Sequence, residues 1–85
     1  MKRTDEIRKE ILFQAYGLRP LPVTAAQMHR ACRKARMDFS EIEIDRELPF
    51  LVGEKLMERV AEPGVTEKHF TITSAGIRHY EENFG

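Results

Sequence analysis

Residues 24–43 read TAAQMHRACRKARMDFSEIE, and this stretch carries two helix-start signals in succession. Thr24 and Gln27 have the spacing of a capping box, in which each side chain satisfies a free backbone N–H at the start of a helix. Ser40 and Glu43 repeat that spacing. The stretch therefore predicts two consecutive helices that are joined by a short turn near residues 37–38.

The two helices of this predicted pair carry charge of opposite sign. Helical periodicity places the apolar residues of the first helix on one side and its cations on the other. The apolar side holds Met28, Ala31, Cys32 and Ala35. The opposite side holds His29, Arg30, Arg33 and Lys34, with Arg36 at the C-terminal end. Residues 38–47, which we call the acidic block, then set Asp38, Glu41, Glu43, Asp45 and Glu47 against the single cation Arg46.

The segment before this pair predicts one helix and an extended connector. Thr4 is expected to cap the helix and Gly17 to end it. Between them, apolar residues recur on one helical face at Ile7, Ile11 and Ala15. Residues 19–23 contain two prolines, which exclude a helix and favour a short edge strand or extended connector.

The segment after residue 48 predicts a hairpin and a final helix. Pro49 lies inside the third helix, where the loss of a hydrogen bond predicts a kink or a late, short helix. The alternating pattern that follows predicts a two-stranded hairpin with its turn at 63–64. Thr73 or Ser74 is expected to cap a last helix that reaches Asn83. The predicted order is α-β-α-α-β-β-α, an α+β fold with a small antiparallel sheet.

Composition limits the class of protein. The 85 residues suffice for one small domain over 1–85, and 41% hydrophobic with 33% charged residues is typical of a folded chain. Fourteen basic and fourteen acidic residues leave no net charge, so nucleic-acid binding would need a local patch. The single cysteine, Cys32, permits no internal disulfide and fits the cytoplasm. No apolar run approaches the roughly 20 residues of a membrane span.

Enzymatic chemistry finds little support in the residue pattern. The three histidines and one cysteine show neither the His-x-x-x-His nor the Cys-x-x-Cys spacing that holds a metal. No glycine-rich phosphate loop is present, and the serines and threonines are explained as caps or strand residues. We therefore expect no enzyme, no cofactor and no metal site.

Two stretches resemble segments of winged-helix proteins, and together with the predicted order the resemblance covers nearly the whole chain. Residues 47–59, ELPFLVGEKLMER, are similar to the segment of bacterial winged-helix regulators in which the third helix ends and the first wing strand begins. Residues 70–77, FTITSAGI, resemble the aromatic-x-aliphatic-Thr-x-x-Gly signature that leads from the second wing strand into the last helix. The chain thus resembles the winged helix-turn-helix domains of small bacterial or phage transcriptional regulators.

The resemblance implies double-stranded DNA as the partner of a dimeric regulator. In DNA-binding winged helices the third helix enters the major groove and the wing contacts the backbone or minor groove, which implicates Arg46 and Lys68. The acidic block opposes such groove binding, because phosphates repel anions. We therefore expect the second helix to grip phosphates through its cations. These residues are His29, Arg30, Arg33, Lys34 and Arg36.

A protein-interaction module is the alternative, because winged helices also serve that purpose. The outward face of the third helix is expected to display Ile42, Pro49 and Phe50, a partly apolar patch typical of protein interfaces. The surrounding acidic residues would select a basic protein partner, or the patch would pair with a second copy. The sequence leaves both functions open.

Overall fold

A computed structural model describes residues 2–61 and 63–85, which form an α+β fold of four helices and a two-stranded antiparallel sheet. The helices are α1 (Arg3–Leu18), α2 (Ala25–Lys34), α3 (Glu41–Gly53) and α4 (Ser74–Asn83). The strands are β1 (Met57–Val60) and β2 (His69–Ile72). The α+β class and the small antiparallel sheet are confirmed.

Both capping boxes are formed as the sequence predicts. Thr24 Oγ1 accepts a hydrogen bond from the Gln27 N–H at 3.1 Å, and Gln27 Oε1 accepts one from the Thr24 N–H at 2.9 Å. Ser40 and Glu43 exchange the equivalent bonds at 3.2 and 3.1 Å. Local sequence alone therefore sets where α2 and α3 begin.

The bounds of α1 differ from the prediction at both ends. The helix begins before Thr4, with Lys2 at the N-cap and no side-chain capping bond, so the predicted cap is wrong. It also continues past Gly17. The helix ends where it does because Arg19 precedes Pro20, and a residue before proline is pushed out of helical geometry.

Pro49 does not delay or shorten α3, which runs unbroken from its capping box. The prediction of a late, short helix is wrong for a physical reason. Pro49 and Asp45 are both exposed, so the Asp45 carbonyl that loses its helical partner lies on the side of α3 that water can reach.

Of the strand predicted at 19–23, only a single β-bridge between Val23 and Phe70 is present. The N–H of Val23 donates to the carbonyl of Phe70, and the N–H of Phe70 donates back to Val23, both at 2.8 Å. On its other edge β2 pairs with β1 in a register that runs from Met57↔Ile72 to Val60↔His69. The connector between α1 and α2 is thereby tied to the hairpin.

The core is mostly aliphatic and lies between α1, α2, α3 and the sheet. Its largest fully buried side chains are Ile7, Ile11, Met28, Ile44, Leu48, Leu51, Met57 and Cys32. Ala35 was predicted to join the apolar side of α2, but it is exposed because α2 ends at Lys34. Since Met28 and Cys32 point into this core, the cationic side of α2 faces outward.

The start of α4 is fastened to the segment that follows α3. Thr73 Oγ1 accepts from the Gly76 N–H at 2.9 Å and donates to the Lys55 carbonyl at 2.7 Å, and the Thr73 N–H donates to the Leu56 carbonyl at 3.1 Å. A Cβ on Gly76 would overlap the Leu56 carbonyl oxygen and lie 2.7 Å from Ile72 Cγ1. These contacts explain the Thr-x-x-Gly spacing.

The close approach at Gly76 predicts a large loss of stability on substitution. Gly76→Ala should lower the free energy of unfolding by about 3 kcal/mol, because the Cβ collides with backbone that cannot move freely. Gly17→Ala is the matched control, since no atom lies within 4 Å of its added Cβ. That variant should be neutral or up to about 1 kcal/mol more stable. Equal urea midpoints for the two variants would contradict this account of the packing.

Candidate nucleic-acid interface

The exposed side of α2 and the turn after it carry a group of basic residues. We call them the α2 cluster: His29, Arg30, Arg33, Lys34 and Arg36. His29 is half-buried and the other four are exposed. Among the described residues none of the four takes part in an ion pair. Their positive charge is therefore available to an anionic partner.

Arg36 occupies a backbone conformation that usually belongs to glycine. Its φ of 63° lies in the left-handed region. Its N–H donates to the Arg33 carbonyl, and the N–H of Met37 donates to the Cys32 carbonyl, both at 2.9 Å. These are the two hydrogen bonds of a Schellman motif, whose left-handed position favours glycine. Any residue other than glycine at this position lowers the stability of the fold by about 1 kcal/mol. Arg36 therefore occupies a position at which the backbone favours glycine.

A surface depression of about 600 Å³ opens at the same turn. Three members of the α2 cluster line it, namely His29, Arg33 and Arg36, together with Ser40 at the N-terminus of α3. Arg3, Asp38 and Glu43 also border it. Glu43 is bound by Arg3 and by the Ser40 N–H, so the nitrogen donors that remain for a phosphate oxygen are those of His29, Arg33 and Arg36.

Two anions of the acidic block are bound by α1. Glu43 Oε2 lies 2.6 Å from Arg3 Nε, and Glu47 Oε1 lies 2.6 Å from Arg8 Nε. Glu47 is only 5% exposed. Neither carboxylate therefore faces a partner as an unpaired charge, and the sequence count overstates the negative charge that α3 presents.

The outward side of α3 presents four exposed residues at helical spacing, which we call the α3 stripe: Ile42, Asp45, Arg46 and Pro49. The exposed Glu41 lies beside Asp45. With Glu43 and Glu47 paired, the exposed charges of α3 are therefore two anions and the cation Arg46. Ile42 is 71% exposed, more than any other large hydrophobic residue among those described. Arg46 thus lies where the sequence places it, with one anion beside it and an apolar side chain one turn before it.

The predicted protein-interaction patch is divided by the structure. Ile42 and Pro49 belong to the α3 stripe, whereas Phe50 is turned toward α1. The guanidinium carbon of Arg8 lies 3.5 Å from the centre of the Phe50 ring and covers part of it. Phe50 remains 42% exposed, so a partner on this side of α3 would meet the Arg8 guanidinium together with the Phe50 ring.

Lys68, the predicted cation of the wing, lies apart from the α2 cluster. It borders two shallow depressions, and Asp45 of α3 lines both of them. Glu41 and Glu67 line the second one as well. Arg59 lines the first depression, so Lys68 has one cation and three anions, Asp45, Glu41 and Glu67, around it.

The cysteine has the properties of a core residue. Cys32 is completely buried, and burial, with a smaller contribution from the charge of Glu10, raises the pKa of its thiol to about 11. Within residues 2–61 and 63–85, no group of three or more His, Cys, Asp or Glu side chains is placed to hold a metal ion. No helix of that part of the chain is long and apolar enough to cross a bilayer.

We compared the chain with protein-family models, with curated proteins and with solved structures, and none of these comparisons gave a match. Function must therefore be inferred from the α2 cluster, the α3 stripe and the residues around them.

The bond from Arg3 makes the stability of the fold depend on pH through Glu43. Hydrogen bonds from Arg3 and from the Ser40 backbone lower the pKa of Glu43 from 4.5 to about 2. Because the folded pKa is depressed, this stabilisation is present above about pH 5 and is lost as the pH falls toward about 2. Glu43→Gln keeps the capping box, as Gln27 does in α2, but removes the charge.

We expect Glu43→Gln to be less stable than the wild type at neutral pH and equal to it near pH 2. Urea unfolding followed by circular dichroism across this range measures the difference. Glu41→Gln is the control, since the exposed Glu41 has no ion-pair partner among the described residues. Wild-type and Glu43→Gln profiles that stay parallel down to about pH 2 would contradict the role of Arg3.

Proposed function

We propose that this chain is a winged-helix DNA-binding protein of the transcriptional-regulator type, and that it holds phosphates mainly through the α2 cluster. One observation carries the proposal: four exposed cations without ion-pair partners among the described residues lie on and just after the helix that precedes α3. The four helices and the hairpin are compatible with a winged-helix layout. In that layout the helix before the reading helix crosses the DNA backbone.

A local cation cluster is sufficient for this kind of contact in a chain without net charge. Each phosphate that a lysine or arginine neutralises releases condensed counterions, and this release supplies most of the sequence-independent affinity. Arg33 and Arg36 share the depression at the α2–α3 turn with His29, so three nitrogen-bearing side chains converge on one opening. We assign the principal phosphate contact to this turn.

The α3 stripe would then lie in the major groove. Its exposed side chains match the chemistry of base edges: Arg46 can donate to guanine, Asp45 can accept from cytosine, and Ile42 can contact a thymine methyl group. Arg3 and Arg8 neutralise two of the five anions of the acidic block, which reduces the repulsion between this block and the phosphates. Asp38, Glu41 and Asp45 remain exposed. With one cation in four residues, the α3 stripe would read bases weakly.

A protein-interaction module is the second candidate, and the exposure of Ile42 favours it. Ile42, which is 71% exposed, and the exposed Pro49 place apolar surface on one side of α3, where a protein segment could cover it. In this function the α3 stripe would bind an apolar and basic protein segment. A partner captured equally well by the wild type and by Ile42→Glu would reject it.

Removal of one cation of the α2 cluster should change the salt dependence of DNA binding. For the wild type on a duplex of about 20 base pairs, the logarithm of the binding constant should fall linearly with the logarithm of salt concentration. Arg33→Ala should reduce that slope by about 0.9, the contribution of one phosphate contact. Fluorescence anisotropy between about 50 and 200 mM salt measures it.

Arg78→Ala is the matched control for Arg33→Ala. Arg78 is also an exposed helical arginine, but it belongs to α4. Its loss changes the net charge of the protein equally and should leave the slope unchanged. Equal slopes for the two variants, or no binding by the wild type even at about 20 mM salt, would reject DNA binding through the α2 cluster.

Replacement of Arg36 by glycine should move stability and DNA binding in opposite directions. Arg36→Gly relieves the left-handed conformation and, after the entropy cost of glycine, should stabilise the fold by about 0.5–1 kcal/mol. It also removes a phosphate contact, so the salt slope should fall by about 0.9. Lys55 allows a matched comparison, because it has a φ of 62° in the same motif at the end of α3.

Lys55→Gly should give the same gain in the free energy of unfolding without the change in DNA binding. Urea unfolding and the salt titration, applied to both glycine variants, separate the two effects. A change in salt slope of equal size in both variants would contradict a specific role for Arg36.

A further inference from the structure

The junction of α1, the end of α3 and α4 contains an opening that the proposed DNA interface does not use. We call it the junction pocket. Its volume is about 600 Å³, and small-molecule sites typically measure about 300–1,000 Å³. Among the described residues, none that lines the junction pocket also lines the depression at the α2–α3 turn. The junction pocket is therefore a separate candidate site.

A large part of the wall of the junction pocket is apolar. Leu12 of α1, Leu51 of α3 and Leu56 after α3 line it. Leu12 and Leu51 belong to the core, and Leu56 packs against that core. The exposed rings of Phe50 and Phe84 also line the pocket. An apolar group of a ligand would therefore cover exposed aromatic surface while it lies over core leucines.

Five ionisable side chains complete the wall: Asp5, Arg8, Lys9, Glu54 and His79. Arg8 is engaged within the fold, because its Nε donates to Glu47 at 2.6 Å and its Nη1 lies 3.9 Å from Asp5 Oδ1. Lys9 and Glu54, by contrast, take part in no ion pair among the described residues. One cation and one anion at the pocket thus lack a partner of opposite charge.

The unpaired cation and the unpaired anion belong to different walls of the pocket. The Lys9 ammonium lies 5.2 Å from the centre of the Phe84 ring. His79 packs edge-on against the same ring, with 6.0 Å between the ring centroids, and its imidazole can donate a hydrogen bond. Glu54, an acceptor, stands at the end of α3. A ligand that meets both charges must therefore carry a donor and an acceptor.

We propose that the junction pocket binds a zwitterionic α-amino acid with a large apolar side chain, of the phenylalanine or leucine kind. Its carboxylate pairs with Lys9, its ammonium pairs with Glu54, and its side chain lies over the leucines. A ligand of a single charge fits less well, because each sign meets a like charge at the wall. An organic anion meets Glu54, and an organic cation meets Lys9. A zwitterion complements both residues.

An NMR titration of amide shifts in the full chain, without DNA, tests the proposal with L-phenylalanine as the probe. We expect a dissociation constant of about 0.1–1 mM and shifts at Leu12, Leu51 and Glu54. Phenethylamine lacks the carboxylate and 3-phenylpropionate lacks the ammonium, so each should bind at least about fivefold more weakly. N-acetyl-L-phenylalaninamide carries neither charge and imitates a residue within a protein chain. It should bind more weakly still.

Variants of the two unpaired residues assign each charge of the ligand to its partner. Lys9→Gln should weaken L-phenylalanine binding about fivefold without weakening phenethylamine. Glu54→Gln should weaken L-phenylalanine equally without weakening 3-phenylpropionate. Lys34→Gln and Glu41→Gln make the same changes at exposed residues outside the junction pocket, and they should bind like the wild type. An equal loss in either control would overturn the assignment.

Three further results would overturn the proposal. The first is an absence of shifts with L-phenylalanine up to about 20 mM. The second is equal affinity for L-phenylalanine and for either singly charged probe, since the pocket would then recognise one charge only. The third is equal affinity for N-acetyl-L-phenylalaninamide, which would indicate a site for an apolar side chain of a protein partner. The DNA-binding proposal is tested separately, because no DNA is present and the α2 cluster lies outside the junction pocket.

Discussion

The ion pair between half-buried Arg8 and buried Glu47 links α1 to α3 at one register. The Glu47 carboxylate is almost inaccessible to water, and Arg8 Nε donates to it at 2.6 Å while the same guanidinium covers the Phe50 ring. A buried carboxylate without a partner costs several kcal/mol. α1 therefore cannot slide along α3 without leaving an uncompensated charge. Arg3 and Glu43 repeat the link at a more exposed position.

This one register of α1 on α3 has consequences on two sides of α1. On the side of α3, the two arginines take up two anions, which leaves Asp38, Glu41 and Asp45 of the acidic block exposed beside Arg46. On the other side, α1 turns Phe13 and Tyr16 toward α4, where Tyr80 meets them. The reduced negative charge of α3 and the packing of α4 are thus consequences of the same register.

The parts of this structure that the sequence predicts are those whose partners are near in the chain. Each capping box joins residues three apart, and Thr73 reaches its cap partner Gly76 across the same distance. The α2 cluster is also predictable, because helical periodicity sets it opposite Met28 and Cys32. Arg8 and Glu47 are 39 positions apart, so no local pattern pairs them. A charge count that treats every acidic residue of the block as exposed therefore overstates the negative charge of α3.

The fold itself does not require the α2 cluster. Aliphatic side chains with Phe39 and Phe70 fill the core, and the capping boxes and the Thr73 contacts set the starts of α2, α3 and α4. Folding alone would favour glycine at position 36. Lys55 occupies the same left-handed position at the end of α3, so the backbone conformation alone assigns no role to Arg36. What distinguishes Arg36 from Lys55 is its place beside His29 and Arg33 at one surface depression. A phosphate contact at Arg36 is therefore supported by its neighbours and not by its backbone.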